Sequence, residues 1–196
     1  MAKQERAEQT RQRLIEAAAA EFAEHGYAGT SLHRIVGSAG VTMGALTFHF
    51  SSKSALADAV QRAGADDTRA ALHRAERTLG AQGLLDEVRA LADGLRTRHS
   101  IRAAARLARE RQATGPGWYG SWAPGLREAL ERAWREERPE GGPVPPMVGA
   151  LLCHVLLGLE NAIAVPDVLR TITGEEPEES LAHALSAVEA LLAPRA

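Results

Sequence analysis

SLHRIVGSAGVTMGALTFHFSSK, running from Ser31 to Lys53, is the stretch that decides how this chain is read. Leu32, Ile35 and Val36 fall on one face of a short helix that Thr30 or Ser31 is placed to cap. Gly37-Ser38-Ala39-Gly40 breaks that helix, and Thr42 is placed to cap a second one running through Phe48. Leu32, Ile35, Val36, Val41, Leu46 and Phe50 then share an apolar underside, while Gly40 permits a tight turn. The pattern is a helix-turn-helix, and the outward face of its second helix is free to enter a DNA major groove.

Outward from this motif the signals remain helical. Leu14, Ile15, Ala18 and Phe22 recur at helical spacing between Glu8 and Glu24, with His25-Gly26 as a stop. Ser51 or Ser52 can cap a fourth helix through Leu56 and Val60. Ala-rich amphipathic segments follow over Asp66 to Leu79, Gly83 to Arg98 and Ile101 to Gln112. Loops are expected over Thr114 to Pro124 and over Arg138 to Pro146, which holds two Gly and four Pro, with a helix from Leu126 to Glu137 between them. Met147 to Ala164 and Glu179 to Ala193 are the most hydrophobic helices, and the first is apolar on more than one face, so it must be covered on several sides. Period-two alternation persists nowhere, and the fold class expected is all-α.

Composition narrows the classes. With 196 residues, 45% hydrophobic and 24% charged, the chain can bury a core and is not a disordered or low-complexity sequence. The longest apolar run, Val148 to Leu159, falls short of the roughly 20 residues of a membrane span. The charged start, MAKQERAEQTRQR, is not a signal peptide, and the single Cys153 suits a reducing cytoplasm, the localisation expected. Cys153-His154 lacks further ligands at metal spacing and is expected in core or interface; no metal or cofactor is expected. No HExxH, phosphate loop, nucleophile–base pair or isolated carboxylate pair stands out, which argues against an enzyme. Residues 1–62 carry seven Lys and Arg against six Asp and Glu, a net charge of only +1.

The eight aromatic residues form two groups. Phe22, Tyr27, Phe48 and Phe50 are expected to pack a small N-terminal head, whereas Trp118, Tyr119, Trp122 and Trp134 cluster between 118 and 134. Trp134 shares an apolar face with Leu126 and Leu130 and is expected in the core.

The phrases Gly26-Tyr27-Ala28-Gly29-Thr30-Ser31, Ala39 to Phe50 (AGVTMGALTFHF) and Ser52-Lys53-Ser54-Ala55-Leu56 resemble the signature of the TetR-type transcriptional repressors over about 50 residues. The opening AKQERAEQTRQRLIEAA, the phrase GVTMGALTFHF, the IRAAARLA stretch from Ile101 to Ala108, and Trp122 look most like the γ-butyrolactone autoregulator receptor branch. The resemblance implies a helix-turn-helix DNA-binding domain over 1–52 and a ligand-binding and dimerisation domain over 53–196.

It also implies roles. Arg11, Ser31, Thr42, Met43, Gly44, Ala45, Thr47, His49 and Lys53 would face DNA. Thr42 would bond a phosphate, Gly44 would permit close backbone approach, Thr47 and His49 would reach phosphates or base edges, and Lys53 would clamp the backbone; Arg6 and Arg13 could add contacts from the N-terminal arm. The family usually carries Lys and Tyr where this chain has Met43 and Thr47. Losing a cation and a long phenolic donor predicts lower affinity or a shifted operator preference.

A small, mostly apolar effector would lie against Trp118, Tyr119 and above all Trp122, with Gln61, Arg106 and Asn161 as orienting polar groups. The implied protein is a homodimeric repressor, paired through the two hydrophobic helices, that binds a pseudopalindromic double-stranded DNA operator and is released by a γ-butyrolactone-like or furan-like molecule. The alternative keeps the fold with a different effector or none.

Overall fold

The computed structural model describes residues 2–75, 78–111 and 117–193, which are helices and connecting turns with no strand among them. The chain is all-α. Among the described residues ten α-helices follow in order: α1 Ala2–Gly29, α2 Leu32–Ala39, α3 Met43–His49, α4 Lys53–Ala75, α5 Gly80–Thr97, α6 His99–Glu110, α7 Ala123–Glu137, α8 Pro146–Ala164, α9 Pro166–Thr173 and α10 Pro177–Leu192.

Local chemistry sets the boundaries of the first four. The Ser31 hydroxyl accepts from the Arg34 amide at 3.2 Å, the Thr42 hydroxyl from Ala45 at 3.1 Å and the Ser52 hydroxyl from Ala55 at 3.0 Å, each satisfying an otherwise orphaned first-turn N–H. Gly40 ends α2 with φ 62°, ψ 39°, the left-handed geometry a side chain would resist. Its amide and that of Val41 return to the carbonyls of Gly37 and Val36 at 3.2 and 3.1 Å. The expected stop at His25-Gly26 is a kink: Gly26 has φ 70°, ψ 179°, after which α1 resumes.

The chain forms two compact units, Met1–Arg69 with Thr97–Ser121, and Ala70–Arg96 with Trp122–Ala196. The core of the first unit extends beyond the helix-turn-helix into α4 and α6. Leu14, Phe22, Ile35, Leu46 and Phe50 are completed by Leu56 and Val60 of α4 and by Ala103 and Leu107 of α6. Ala103, Ala104 and Ala105 of α6 are all buried, and methyl-sized side chains let neighbouring helices come close.

The second unit buries Leu84, Leu85, Val88 and Leu91 of α5, Leu126 and Leu130 of α7, Leu152 and Leu156 of α8, and Leu185 and Val188 of α10. Trp134 belongs to this core, as expected; its indole N–H donates to the Gly142 carbonyl at 3.0 Å. Arg138 stacks 4.0 Å from the centre of the Trp134 ring and donates to the terminal carbonyls Leu191, Leu192 and Ala193 of α10. The Gly- and Pro-rich loop is thereby anchored at its start.

Several element limits differ from the sequence reading. Asp66 to Ala75 is the second half of one 23-residue α4, which runs unbroken through Gly64. α7 begins at Ala123 with Pro124 in its first turn, where proline costs no hydrogen bond. Residues 114–116 of the expected loop lie outside the described residues, and Gly117–Ser121 is a 3₁₀ turn. α9 was not expected, although Pro166 at its start, Arg170 in its last turn and Gly174 at its end (φ 74°) are start and stop signals. The window Pro146–Ile163 of α8 has mean hydropathy 1.5, long and apolar enough to cross a membrane, whereas the apolar run Val148 to Leu159, interrupted by His154, is shorter.

Candidate functional site

Within α3, Leu46 and the following Phe50 define the inner face. Thr42, Gly44, Thr47 and Phe48 are exposed, and Ala45 and His49 are half-buried. This places most of the expected DNA-facing set on one short solvent-facing helix. Met43 is half-buried and packs on the head core, so its side chain is drawn inward. The Thr47 hydroxyl donates to the Gly44 carbonyl at 3.1 Å; while that bond holds, Thr47 has no proton for a phosphate oxygen, which only accepts. Thr42, by contrast, uses its oxygen as a cap and keeps its proton.

Phe48 corrects the expectation that it packs the head: it is 80% exposed. It stands two residues, about 200° of helical rotation, from both Leu46 and Phe50, so the outward direction was readable from spacing. A phenylalanine left in water forgoes about 1.5–3 kcal/mol of burial. Phe48 is the functional candidate that sequence reasoning missed.

The flanking cations are held by aromatic rings. Lys53 Nζ lies 4.6 Å from the centre of the Tyr27 ring, and the Arg11 guanidinium lies 5.6 Å from that of Phe50 and 3.6 Å from Glu8. Arg13 donates to the Ala39 carbonyl at 2.6 Å, closing the end of α2. Ser31 is an exposed cap residue at the start of α2.

Behind this surface, the end of α6 carries a polar joint. Arg111 donates to Ser54 at 2.7 Å, Asp58 at 2.7 Å and Gln61 at 3.1 Å, all on α4, and lies 5.1 Å from the Tyr27 ring centre. Arg106 donates to the Ala23 and Glu24 carbonyls at 3.1 and 3.0 Å and to Glu110 at 2.8 Å. Glu110 accepts from the Tyr27 amide at 2.5 Å, across the Gly26 kink. Burial would raise the Glu110 pKa, but the hydrogen bonds from Arg106 and the Tyr27 N–H prevail and hold it below its ordinary value.

The expected effector residues are divided between the two units. Gln61, Arg106, Trp118 and Tyr119 belong to the first unit, and Trp122 and Asn161 to the second. Arg106 serves the joint just described. Trp118 is 2% exposed and donates to the Thr68 hydroxyl at 2.9 Å, with the half-buried Tyr119 ring 5.4 Å away. Gln61 Nε2 is buried with no hydrogen-bond partner. Asn161 is exposed and donates to the Leu157 carbonyl at 2.9 Å.

Trp122 lines a cavity of about 400 Å³ between α7 and α8 with Leu126, Leu130, Val144, Leu152 and Leu156. Arg127 and Glu131, paired at 2.9 Å, are polar groups in its wall. Cys153, expected in core or interface, is exposed and lines the same cavity. No cluster of potential metal ligands occurs among the described residues.

Comparison with known proteins agrees with this geometry. Residues 14–60 match the family model of bacterial regulatory proteins of the tetR family. The chain is 36% identical over 152 residues to the A-factor receptor protein of Streptomyces griseus, an alignment covering 76% of this chain and 53%, about half, of that receptor. A crystal structure of a γ-butyrolactone receptor (ArpA-like protein) superposes with TM-score 0.66 at 28% identity, covering 95% of this chain and 98% of that one. Full-length TylP, a TetR regulator from Streptomyces fradiae, is 31% identical, covering 97% of this chain and 80% of its own, with TM-score 0.57. A capped helix-turn-helix with its second helix turned to solvent, on an all-α scaffold shared with these regulators, makes this chain a member of the TetR family, similar within it to the γ-butyrolactone receptors.

Proposed function

We propose that the protein is a ligand-responsive transcriptional repressor that binds a pseudopalindromic operator as a homodimer and is released by a small γ-butyrolactone-like or furan-like effector. The observation that carries this reading is the exposed, side-chain-capped α3, closed from behind by α1, α4 and α6, which is the geometry a groove-reading helix needs. Two such helices about 34 Å apart would read successive turns of one duplex face. The names of the A-factor receptor and the γ-butyrolactone receptor support the effector class.

The cavity beside Trp122 supports an effector that is mostly apolar, since carbon side chains dominate its wall. Effector binding would favour a state in which the helix separation no longer fits DNA, and a coupling of about 1–3 kcal/mol is enough to change occupancy roughly 5- to 150-fold. The test is a labelled-duplex mobility shift with synthetic γ-butyrolactones added. Release of DNA together with quenching of tryptophan fluorescence, both lost in Trp122→Ala, is the expected result. Tight DNA binding untouched by every butyrolactone or furan would place the protein among regulators with another effector or none.

A further inference from the structure

We propose that α3 reads base sequence chiefly through thymine C5-methyl groups, with the Phe48 ring as the group that contacts them. This rests on the reading of α3 as the groove helix. In the first unit, Phe48 is the one large apolar side chain left exposed among the described residues. It lies edge-on to the His49 ring, 5.0 Å between centres and 83° between planes, a contact that sets the direction of the ring without covering it. One turn earlier on the same face stands Gly44. A Cβ there would meet only the Thr42 hydroxyl, at 3.8 Å. Helical side chains lean toward the helix N-terminus, so the Phe48 ring leans over a turn that presents bare backbone, where a base edge can approach both.

The polar groups of α3 include no side chain that reads a base by paired hydrogen bonds. Met43–His49 contains no Arg, Lys, Asn or Gln, the side chains that read guanine or adenine by paired hydrogen bonds. The Thr42 hydroxyl caps the Ala45 amide and keeps one proton to donate, and the Thr47 proton goes to the Gly44 carbonyl. Met43 packs inward and Ala45 is a methyl. What the helix and its cap offer a groove is an aromatic ring, small apolar groups, one imidazole and the single Thr42 proton. The thymine methyl is the apolar feature that distinguishes base pairs in the major groove.

The test replaces thymine with uracil, which removes that methyl and nothing else. The full chain is used to enrich duplexes from a random library, and an enriched duplex is resynthesised with uracil at one thymine position at a time. The wild-type chain, Phe48→Ala and Phe48→Leu are then titrated on each. At least one position per half-site is expected to lose about fourfold in affinity on uracil replacement, the equivalent of burying one methyl group. Phe48→Ala should bind the thymine duplex more weakly and no longer distinguish it from the uracil one, while Phe48→Leu keeps part of the difference. Half-sites free of thymine, wild-type indifference to every uracil, or a uracil penalty that Phe48→Ala retains would each overturn the proposal. The wild-type scan stands without any variant, and circular dichroism checks that the variants fold. Failure to enrich any duplex would overturn DNA binding itself, an outcome distinct from uracil indifference in a chain that binds.

Discussion

At residue scale, function depends on what each side chain has left to give after its local bonds are made. Met43 shows this directly: its stem packs on the head core, so a lysine there could keep the same stem contact and extend its ammonium into solvent. Met43→Lys is therefore expected to raise operator affinity and to steepen the slope of log K against log salt by about 1.8, one added phosphate contact from each subunit of the proposed dimer. An unchanged slope in a salt-dependent mobility shift would show that position 43 does not face the backbone. Glu110 offers a pH signature. Its pKa is depressed in the folded protein, so its contribution to stability is complete above the ordinary value of 4.5 and is lost as pH falls through the lower folded value. Glu110→Gln should be less stable than wild type near neutrality, and the gap should shrink below pH 4.5 in thermal unfolding followed across pH. A gap of constant size across that range would mean that the Arg106 and Tyr27 bonds do not favour the ionised form.

At element scale, the informative feature is that α6 belongs with the helix-turn-helix. Ala103 and Leu107 fill its core, and Arg106, Glu110 and Arg111 tie the end of α6 to the kink of α1 and the first turns of α4. Arg111 is the centre of this joint, with three α4 partners, and hydrogen bonds to charged groups contribute about 1.5–3 kcal/mol each when little exposed. Asp58 is half exposed to water, so the lower end applies. Loss of the one bond to the Asp58 carboxylate in Arg111→Gln, about 1.5 kcal/mol, should lower the melting temperature by about 3–6 °C, at roughly 2–4 °C per kcal/mol for a chain of this size. It should also weaken operator binding beyond what the temperature shift explains, because α4 and α1 flank α3. Melting and mobility shift measured on the same preparation separate the two, and full operator affinity in a destabilised variant would confine Arg111 to a packing role.

At the scale of the whole molecule, the proposed dimer answers a question that one chain leaves open: what covers α8. Its inner residues Val148, Leu152, Leu156 and Leu159 are buried, yet Leu151 and Leu157 remain 37% and 38% exposed and Met147 65%. Pairing of α8 and α10 with their symmetry mates would bury these residues and place two α3 helices on one duplex. A Leu151→Glu and Leu157→Glu double variant is expected to sediment as a monomer with its helix content intact. Its affinity for the pseudopalindrome should fall at least about tenfold, because one half-site must then be bound alone. A double variant that remains dimeric would move the interface elsewhere.

Much of this was readable without coordinates because its causes are local. Ser31, Thr42 and Ser52 announce helix starts through hydroxyls that need only the next few amides, Gly40 announces a turn through its own backbone, and the period of Leu14, Ile15, Ala18 and Phe22 announces a buried face. Much of the family signature from Gly26 to Leu56 is likewise local, serving a cap, a turn or the face of a short helix, although Tyr27 also meets Glu110 and Arg111 of α6 and its end. The opposite orientations of Phe48 and Phe50 were also present in the spacing, although composition alone grouped them as packing. Tertiary structure decided what depends on distant partners. It assigned Arg106 to carbonyls more than 80 residues earlier, gave the Trp118 N–H to Thr68, set Trp122 in a cavity wall, and joined α6 to the first unit. A side chain's type limits which bonds it can make, but which partner it meets is fixed only when helices remote in sequence pack together.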